Sequence, residues 1–376
     1  MLHELRDKPG LCFVALSNPD FIPEFGSGST QRVPMLSGEK HMKTSVFAID
    51  VGYGNTKYAY RAAGGSIATD MFPSLAPLAA TLNLGHGDGT MTTRKVVTVT
   101  IDKIEYEVGP GVPLNAVHGL TGRALAADYV TTDNYAALLF GAIHFAGVTH
   151  IERLVLGLPV HNLKTYSDTL KERFCGEMDF GCGRVTIDKV VVIPQPLGSL
   201  ILASSTRGKN FNPSDQHLVI DVGYFTTDWV YATGFTINNV LSGGTPGGAS
   251  HIYQRIANLI SLDEGEDCDC IEMIDEALRE RTTLRFFSKD IDLGPYLEKA
   301  EPVIAGVVKE IQRKVGKMPN VRSVILSGGG AALYASVLRR AFPRLIIEVI
   351  DSPCIANARG YLLVGEAGLA RERRAA

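Results

Sequence analysis

Two aspartates, Asp50 and Asp221, each open a turn rich in glycine and hydroxyl groups: DVGYGNTK (Asp50 to Lys57) and DVGYFTTD (Asp221 to Asp228). Glycine lets backbone N–H groups turn inward and meet a phosphate with no Cβ in the way. A carboxylate beside such a turn is no partner for an anion, but it can hold hydrated Mg2+. Two such turns facing each other could clasp a polyphosphate from both sides. Two further glycine stretches, GGTPGGAS (Gly243 to Ser250) and SGGGAA (Ser327 to Ala332), also lie at strand ends.

The two acid-bearing turns belong to a longer repeat. AIDVGYGNTKYAY (Ala48 to Tyr60) lies over VIDVGYFTTDWVY (Val219 to Tyr231) with identity at Ile, Asp, Val, Gly, Tyr, Thr and the final Tyr. A buried strand that recurs by chance matches only in apolar residues. This pair also matches at an acid, a glycine and a hydroxyl. Singly, a D-x-G hairpin is ordinary turn chemistry, and the triple glycine reads equally well as a plain helix start. Duplication in register favours the phosphate reading, with one hairpin per domain and one nucleotide between them.

The elements that must position these turns follow from periodicity. VFAIDVG (46–52) reads as a buried strand and NTKYAYR (55–61) as its alternating partner, with more strand signal near 93–109. TTDNYAALLFGAIHFAG has a Thr/Asp start and a Gly stop, the marks of a helix. LVLGLPV (154–160) is a short buried strand, HNLKTYSDTLKERF a helix, and RVTIDKVVVIPQPLGSLILAS passes from strand to helix at Pro194–Pro196. The second half repeats the order. Strand, turn and strand in HLVIDVGYFTTDWVYATG precede a strand, a Gly-rich loop and a helix in FTINNVLSGGTPGGASHIYQRIANLI. A helical stretch over 296–311 follows, then VRSVILSGGGAALYASVLRRAF, the strand LIIEVI and a closing helix in SPCIANARGYLLVGEAGLA. Mixed sheets covered by helices, built twice, make a duplicated α/β architecture.

Composition sets outer bounds. At 376 residues, with 45% hydrophobic and 20% charged residues, the chain suits two globular domains. A net charge of −3 argues against a surface that grips DNA directly. The longest apolar run, Tyr135 to Val148, is too short to span a bilayer, and no signal-peptide core is present, so a cytoplasmic protein is expected. Residues 1–42 are loop-like and read as a disordered or non-native extension, with folding expected to begin at Lys43 or Thr44. Of six cysteines only Cys268 and Cys270 are close, without a second pair or a His cluster, so they read as incidental thiols rather than half a metal site. The Walker pattern, a clean G-x-G-x-x-G after a strand, H-E-x-x-H and G-x-S-x-G are all absent.

With these motifs in place, the chain from residue 44 onward resembles the actin-like ATPase superfamily, with its actin/ribonuclease-H-like duplicated fold and central nucleotide cleft. AIDVGYGNTKYAY looks like the first phosphate motif, LVIDVGYFTTDWVY the second, and VVVIPQPLGSLIL the first connecting motif. VILSGGGAALY resembles the adenosine motif, and PCIANARGYLLVG the second connecting motif. The I-P-Q spacing and the A-x-x-x-G-Y-L-L ending resemble the ParM/StbA type of plasmid-segregation actin, and most narrowly the protein D group of PRTRC cassettes on mobile elements.

The resemblance implies two domains, 43–194 plus 353–376 and 195–352, around bound ATP and Mg2+. It implies a homopolymeric filament and a DNA-binding adaptor, without direct nucleic acid or membrane contact. Asp50 and Asp221 would hold Mg2+ through water, Asp221 also near the attacking water that Gln195 orients. Phosphates would lie against Gly52, Tyr53, Gly54, Asn55, Thr56 and Lys57 on one side. Gly223, Tyr224, Phe225, Thr226 and Thr227 would meet them on the other. Gly247, Gly248, Gly328, Gly329 and Gly330 would wall the adenosine. Gln195 also reads as a polar helix-start residue, and Lys57 as a solvated edge-strand lysine. Phe225 departs from the repeat, standing where the first turn has Gly54. Rival functions are a metabolite or sugar kinase on the same fold, for which no signature stands between residues 60 and 130, and a nucleotide-binding scaffold that does not polymerise. A chaperone-type ATPase is disfavoured, because little sequence follows the closing helix.

Overall fold

The computed structural model describes residues 42–79, 94–113, 128–208 and 211–376. The extension expected over 1–42 lies outside these residues except for Met42, where the first strand begins. From Val46 on, every residue of β1 (Met42–Val51) is buried, as in a strand covered on both faces. The chain turns back into β2 (Asn55–Arg61), which sets Asp50 opposite Lys57 and Val51 opposite Thr56, and β3 (Ile67–Pro73) adds an antiparallel edge. β4 (Val97–Ile101) and β5 (Ile104–Val108) form a separate hairpin. Its turn residues Asp102 and Lys103 have φ of 48° and 70°, which matches the right-handed twist of the strands it joins.

The helix expected before residue 147 is α1 (Asp133–Ala146), started by Thr132, whose side chain accepts from the Tyr135 amide, and ended by left-handed Gly147. It returns the chain to β6 (Val148–Leu158), parallel to β1. Next come α2 (Leu163–Arg173), β7 (Gly176–Asp179) and β8 (Arg184–Ile187). β9 (Val190–Pro194) then runs parallel to β6 and passes directly into α3 (Gln195–Arg207).

The same plan recurs. β10 (Gln216–Val222) and β11 (Thr226–Thr233) form a hairpin that sets Asp221 opposite Asp228, and β12 (Thr236–Ile237) and β13 (Gly243–Pro246) pair with β11. Helices α4 (Ala249–Glu264) and α5 (Ile271–Glu280), the small hairpin β14 (Leu284–Phe286) and β15 (Lys289–Ile291), and α6 (Gly294–Val315) follow. β16 (Val321–Ser327) runs parallel to β10, and beyond α7 (Ala331–Ala341) β17 (Ile346–Val349) runs parallel to β16. α8 (Ala356–Ala375) is the last helix.

The first sheet runs β3-β2-β1-β6 with β9 and the β8-β7 pair beyond β6, and the second runs β12-β11-β10-β16-β17. In each lobe the acid-bearing strand lies between its own hairpin partner and a parallel strand reached by a crossover, so the fold repeats where the sequence repeats. α8 packs on β1 and β6 and against α3, which in turn lies on β10. The helices cross on two glycines, for a Cβ on Gly360 would collide with the Gly198 carbonyl.

Two local expectations are corrected. GGTP, expected as loop, is strand β13, because its missing side chains make room for Trp229 and Asp228 on the neighbouring strand. β3 and the β14–β15 hairpin carry too weak an alternation to be expected at all. Among the described residues no helix is long and apolar enough to cross a membrane.

Candidate functional site

The two repeated turns close in the same way. The Gly52 amide donates to the Asn55 carbonyl at 3.1 Å, and the Gly223 amide to the Thr226 carbonyl at 2.9 Å. Their tips meet across the two lobes. A Cβ on Gly54 would lie 2.8 Å from the Tyr224 Cβ, and the Tyr53 and Phe225 rings are 5.2 Å apart. Behind the tips sit Asp50 and Asp221, 3% and 7% exposed.

Each carboxylate oxygen of Asp50 accepts a hydrogen bond. Lys57 Nζ donates to its Oδ2 at 3.1 Å and Gln195 Nε2 to its Oδ1 at 3.2 Å. Lys57 runs alongside Gly52, where a Cβ would come within 2.9 Å of the ammonium. Burial pulls the Lys57 pKa down, but the Asp50 carboxylate outweighs it and the lysine is held firmly charged.

Asp221 has a different environment. Asn357 Nδ2, from α8, donates to Oδ2 at 2.7 Å, and Ser327 Oγ approaches Oδ1 at 3.4 Å. Asn357 is itself fixed by the Ser199 hydroxyl of α3, 2.6 Å from its Oδ1. Among the described residues no cation lies within ion-pair distance of Asp221. Burial, followed by the charge of Asp50, pushes its pKa up to about 7 against the Asn357 hydrogen bond. The two acids therefore share one electrostatic environment, with a single lysine committed to one of them.

The remaining candidates fall into three groups. Asn55, Thr226, Tyr53 and Phe225 lie at the turns. Tyr53 stacks on Tyr129 at 4.9 Å, while Phe225 reaches His251 at 5.6 Å. Thr56 and Thr227 turn inward instead: Thr56 pairs with the Ser74 hydroxyl at 2.9 Å and Thr227 donates to the Gly247 carbonyl at 3.0 Å, both fully buried. The hydroxyls expected to cradle phosphate at these two positions are thus spent within the fold. Tyr224 also points away, toward Glu272 at 3.5 Å.

The glycine stretches press against the second turn. The Gly247 and Gly248 amides donate to the Phe225 carbonyl, and those of Ala249 and Ser250 to Gly223 and Tyr224, so the turn itself caps α4. A Cβ on Gly328 (φ 88°) would collide with Val222 and Asp221, and one on Gly330 would lie 2.5 Å from the Val222 side chain. Gly329 is more open, with Cys354 Sγ 3.8 Å from its Cβ position.

Three residues escaped the sequence reading. Asn357 stands inside a recognised motif, but its partner is 136 residues away. Asp228 ends the second acid-bearing turn, at the position Lys57 holds in the first. It is 2% exposed, and its Oδ2 accepts from Thr226 Oγ1 at 2.8 Å. His161, on the turn after β6, brings Nδ1 to 3.7 Å from Asp228 Oδ1. The swap of Lys57 for an acid was the available signal. Among the described residues no group of three His, Cys, Asp or Glu converges as a direct metal cage, and the five described cysteines are free.

Comparison with known proteins agrees with this duplicated geometry. Residues 48–198 match the family model of the actin-like protein N-terminal domain, and residues 219–340 that of the archaeal actin homologue MreB-like C-terminal domain. No curated protein matches the chain. Among solved structures, the archaeal actin homolog Ta0583 aligns with TM-score 0.68 and 20% identity over 86% of this chain and 99% of its own. A 15-stranded ParM filament from Clostridium botulinum aligns with TM-score 0.67 and 20% identity, over 87% and 100%. Bacillus thuringiensis ParM with ATP aligns with TM-score 0.61 and 13% identity, over 88% and 100%. Matched by actin-like domain models over residues 48–198 and 219–340, and in fold by actin homologues over 86–87% of its length, this chain belongs to the actin-like protein superfamily.

Proposed function

We propose that the chain binds and hydrolyses Mg-ATP between its lobes and couples this to filament assembly, in the service of plasmid or mobile-element segregation through a DNA-binding adaptor. One observation carries the reading: two matching turns meet tip to tip over a buried pair of coupled acids, Asp50 and Asp221. A nucleotide enters by separating these tips, with residues 43–194 plus 353–376 moving against 195–352. Ta0583 in complex with ADP, an AlfA filament bound to AMPPNP and ParM with ATP share the fold and support the choice of ligand and the expectation of filaments.

The donor set suits magnesium. Asp221 meets only neutral donors and Asp50 already holds Lys57, an arrangement that fits a hydrated cation held through water rather than a protein cage. When bound, Mg2+ neutralises charge that builds on the phosphates. Lys57 offsets further phosphate charge, and the backbone N–H groups of the turns meet the phosphate oxygens. Gln195 trades its bond to Asp50 for one to the attacking water, and Asp221, held in place by Asn357, orients that water from the second lobe. Gly328 to Gly330 flank the adenosine.

The test combines calorimetry with Mg-ATP, phosphate release and electron microscopy with and without nucleotide. Saturable binding, turnover and ATP-dependent filaments are expected. A protein that binds ATP but forms no filaments at high concentration would reduce the reading to a nucleotide-binding scaffold, and phosphorylation of an added sugar would replace it with a kinase.

A further inference from the structure

The repeats differ at one chemically decisive place. In the first, Asp50 faces Lys57 across the hairpin; in the second, Asp221 faces Asp228 at the same register. The first hairpin carries its own cation. The second sets acid against acid, and the Asp228 charge helps raise the Asp221 pKa.

Asp228 Oδ1 is buried and has no hydrogen-bond partner among the described residues. An unmatched carboxylate oxygen in such a place is costly, so a donor that reaches it is favoured. A basic candidate comes from the other lobe. His161 Nδ1 stands 3.7 Å away, within ion-pair reach and just beyond a hydrogen bond, on a side chain 46% exposed. Gly244 makes the approach possible, because a Cβ there would collide with Asp228 Oδ1 and lie 3.1 Å from His161 Nδ1. The carboxylate raises the imidazole pKa against partial burial, which favours the charged donor.

From this geometry we infer that His161 is a positioning residue for hydrolysis: with the lobes together, a small shift of its half-exposed side chain brings Nδ1–H onto Asp228 Oδ1 and fixes the carboxylate that orients solvent beside Asp221. The inference rests on the ATPase reading above. It makes the other lobe supply what Lys57 supplies in the first hairpin, so the second hairpin is complete only when the lobes are together. His161 acts through Asp228 and touches no reacting atom.

The test uses His161→Ala and His161→Asn in the full chain, the Asn amide nitrogen taking the place of Nδ1. At saturating Mg-ATP, phosphate release should fall roughly tenfold in His161→Ala, the scale of one well-placed hydrogen bond, while affinity for a non-hydrolysable ATP analogue stays within about threefold. His161→Asn should return to within about threefold of wild type, and adding His161→Ala to Asp228→Asn should cost nothing further. Wild-type turnover in His161→Ala overturns the inference. So does a parallel loss of affinity and rate that His161→Asn fails to recover. A proton NMR titration of His161 in wild type and Asp228→Asn reads the pairing without nucleotide. An intact pair in a wild-type protein that neither binds nor hydrolyses ATP overturns the ATPase reading, and the role assigned to His161 with it.

Discussion

Asn357, on the last helix, donates a 2.7 Å hydrogen bond to Asp221, at the end of the second lobe's central strand. With Ser199 of α3 behind it, this amide ties both crossing helices to one buried acid. The bond lowers the pKa of a carboxylate that burial and Asp50 both raise. Asn357→Ala should therefore leave Asp221 without its strongest donor, costing about 1–3 kcal/mol of stability. Denaturant unfolding measures that loss, and turnover should fall with it. Asn357→Asp should be worse, since it places a third acid against Asp50 and Asp221.

Gln195 is the first residue of α3, and its amide nitrogen is 3.2 Å from Asp50 Oδ1. A purely structural helix-start residue would matter only for stability. Gln195→Ala should instead slow phosphate release by about 10- to 100-fold, the range for removing one positioned polar group, with little change in analogue affinity. Filaments should persist longer after a pulse of ATP. Unchanged phosphate release would remove Gln195 from the mechanism.

The repeat and the two strand-turn-strand units that carry it were legible because both halves have the same acid, glycine and hydroxyl in the same frame. Local chemistry also marked the ends of α1, where Thr132 and Gly147 act as expected. GGTP misled because glycine usually breaks strands, whereas here the absence of side chains lets β13 lie close over Trp229 and Asp228. For Thr56 and Thr227 the pattern is silent on another point: a hydroxyl in a phosphate-like turn says nothing of which face of the strand it takes, and both face inward. The approaches of Asn357 to Asp221 and of His161 to Asp228 join residues far apart in the chain, and pattern within a window cannot reveal them.

Phe225 stands where the first turn has Gly54, and its ring touches Tyr53 across the lobes and His251 within its own. An aromatic pair of this kind contributes about 0.5–1.5 kcal/mol beyond area burial. Phe225→Gly should weaken closure and speed release of a fluorescent ATP analogue by about 2- to 10-fold, as that energy predicts. Phe225→Leu, which keeps most of the apolar area, should fall between. Stopped-flow displacement measures both, and identical release rates in all three proteins would show that the ring contact does not govern opening.

His217 lies on β10 with its ring stacked 5.0 Å from Phe211, 1% exposed, and neither ring nitrogen has a hydrogen-bond partner among the described residues. Burial, and then the Arg207 charge, lower its pKa below the ordinary imidazole value. The folded protein thus keeps His217 neutral while the unfolded chain takes up a proton near pH 6.5. Its contribution is fully present above that pH and is lost as pH falls, by at most about 1.4 kcal/mol per pH unit, until the folded-state pKa is reached. His217→Phe keeps the stack and removes the titration. Urea unfolding at pH 7.5 and 5.5 should show a smaller loss in the variant than in wild type; equal losses would mean that water or local opening satisfies the ring in the folded state.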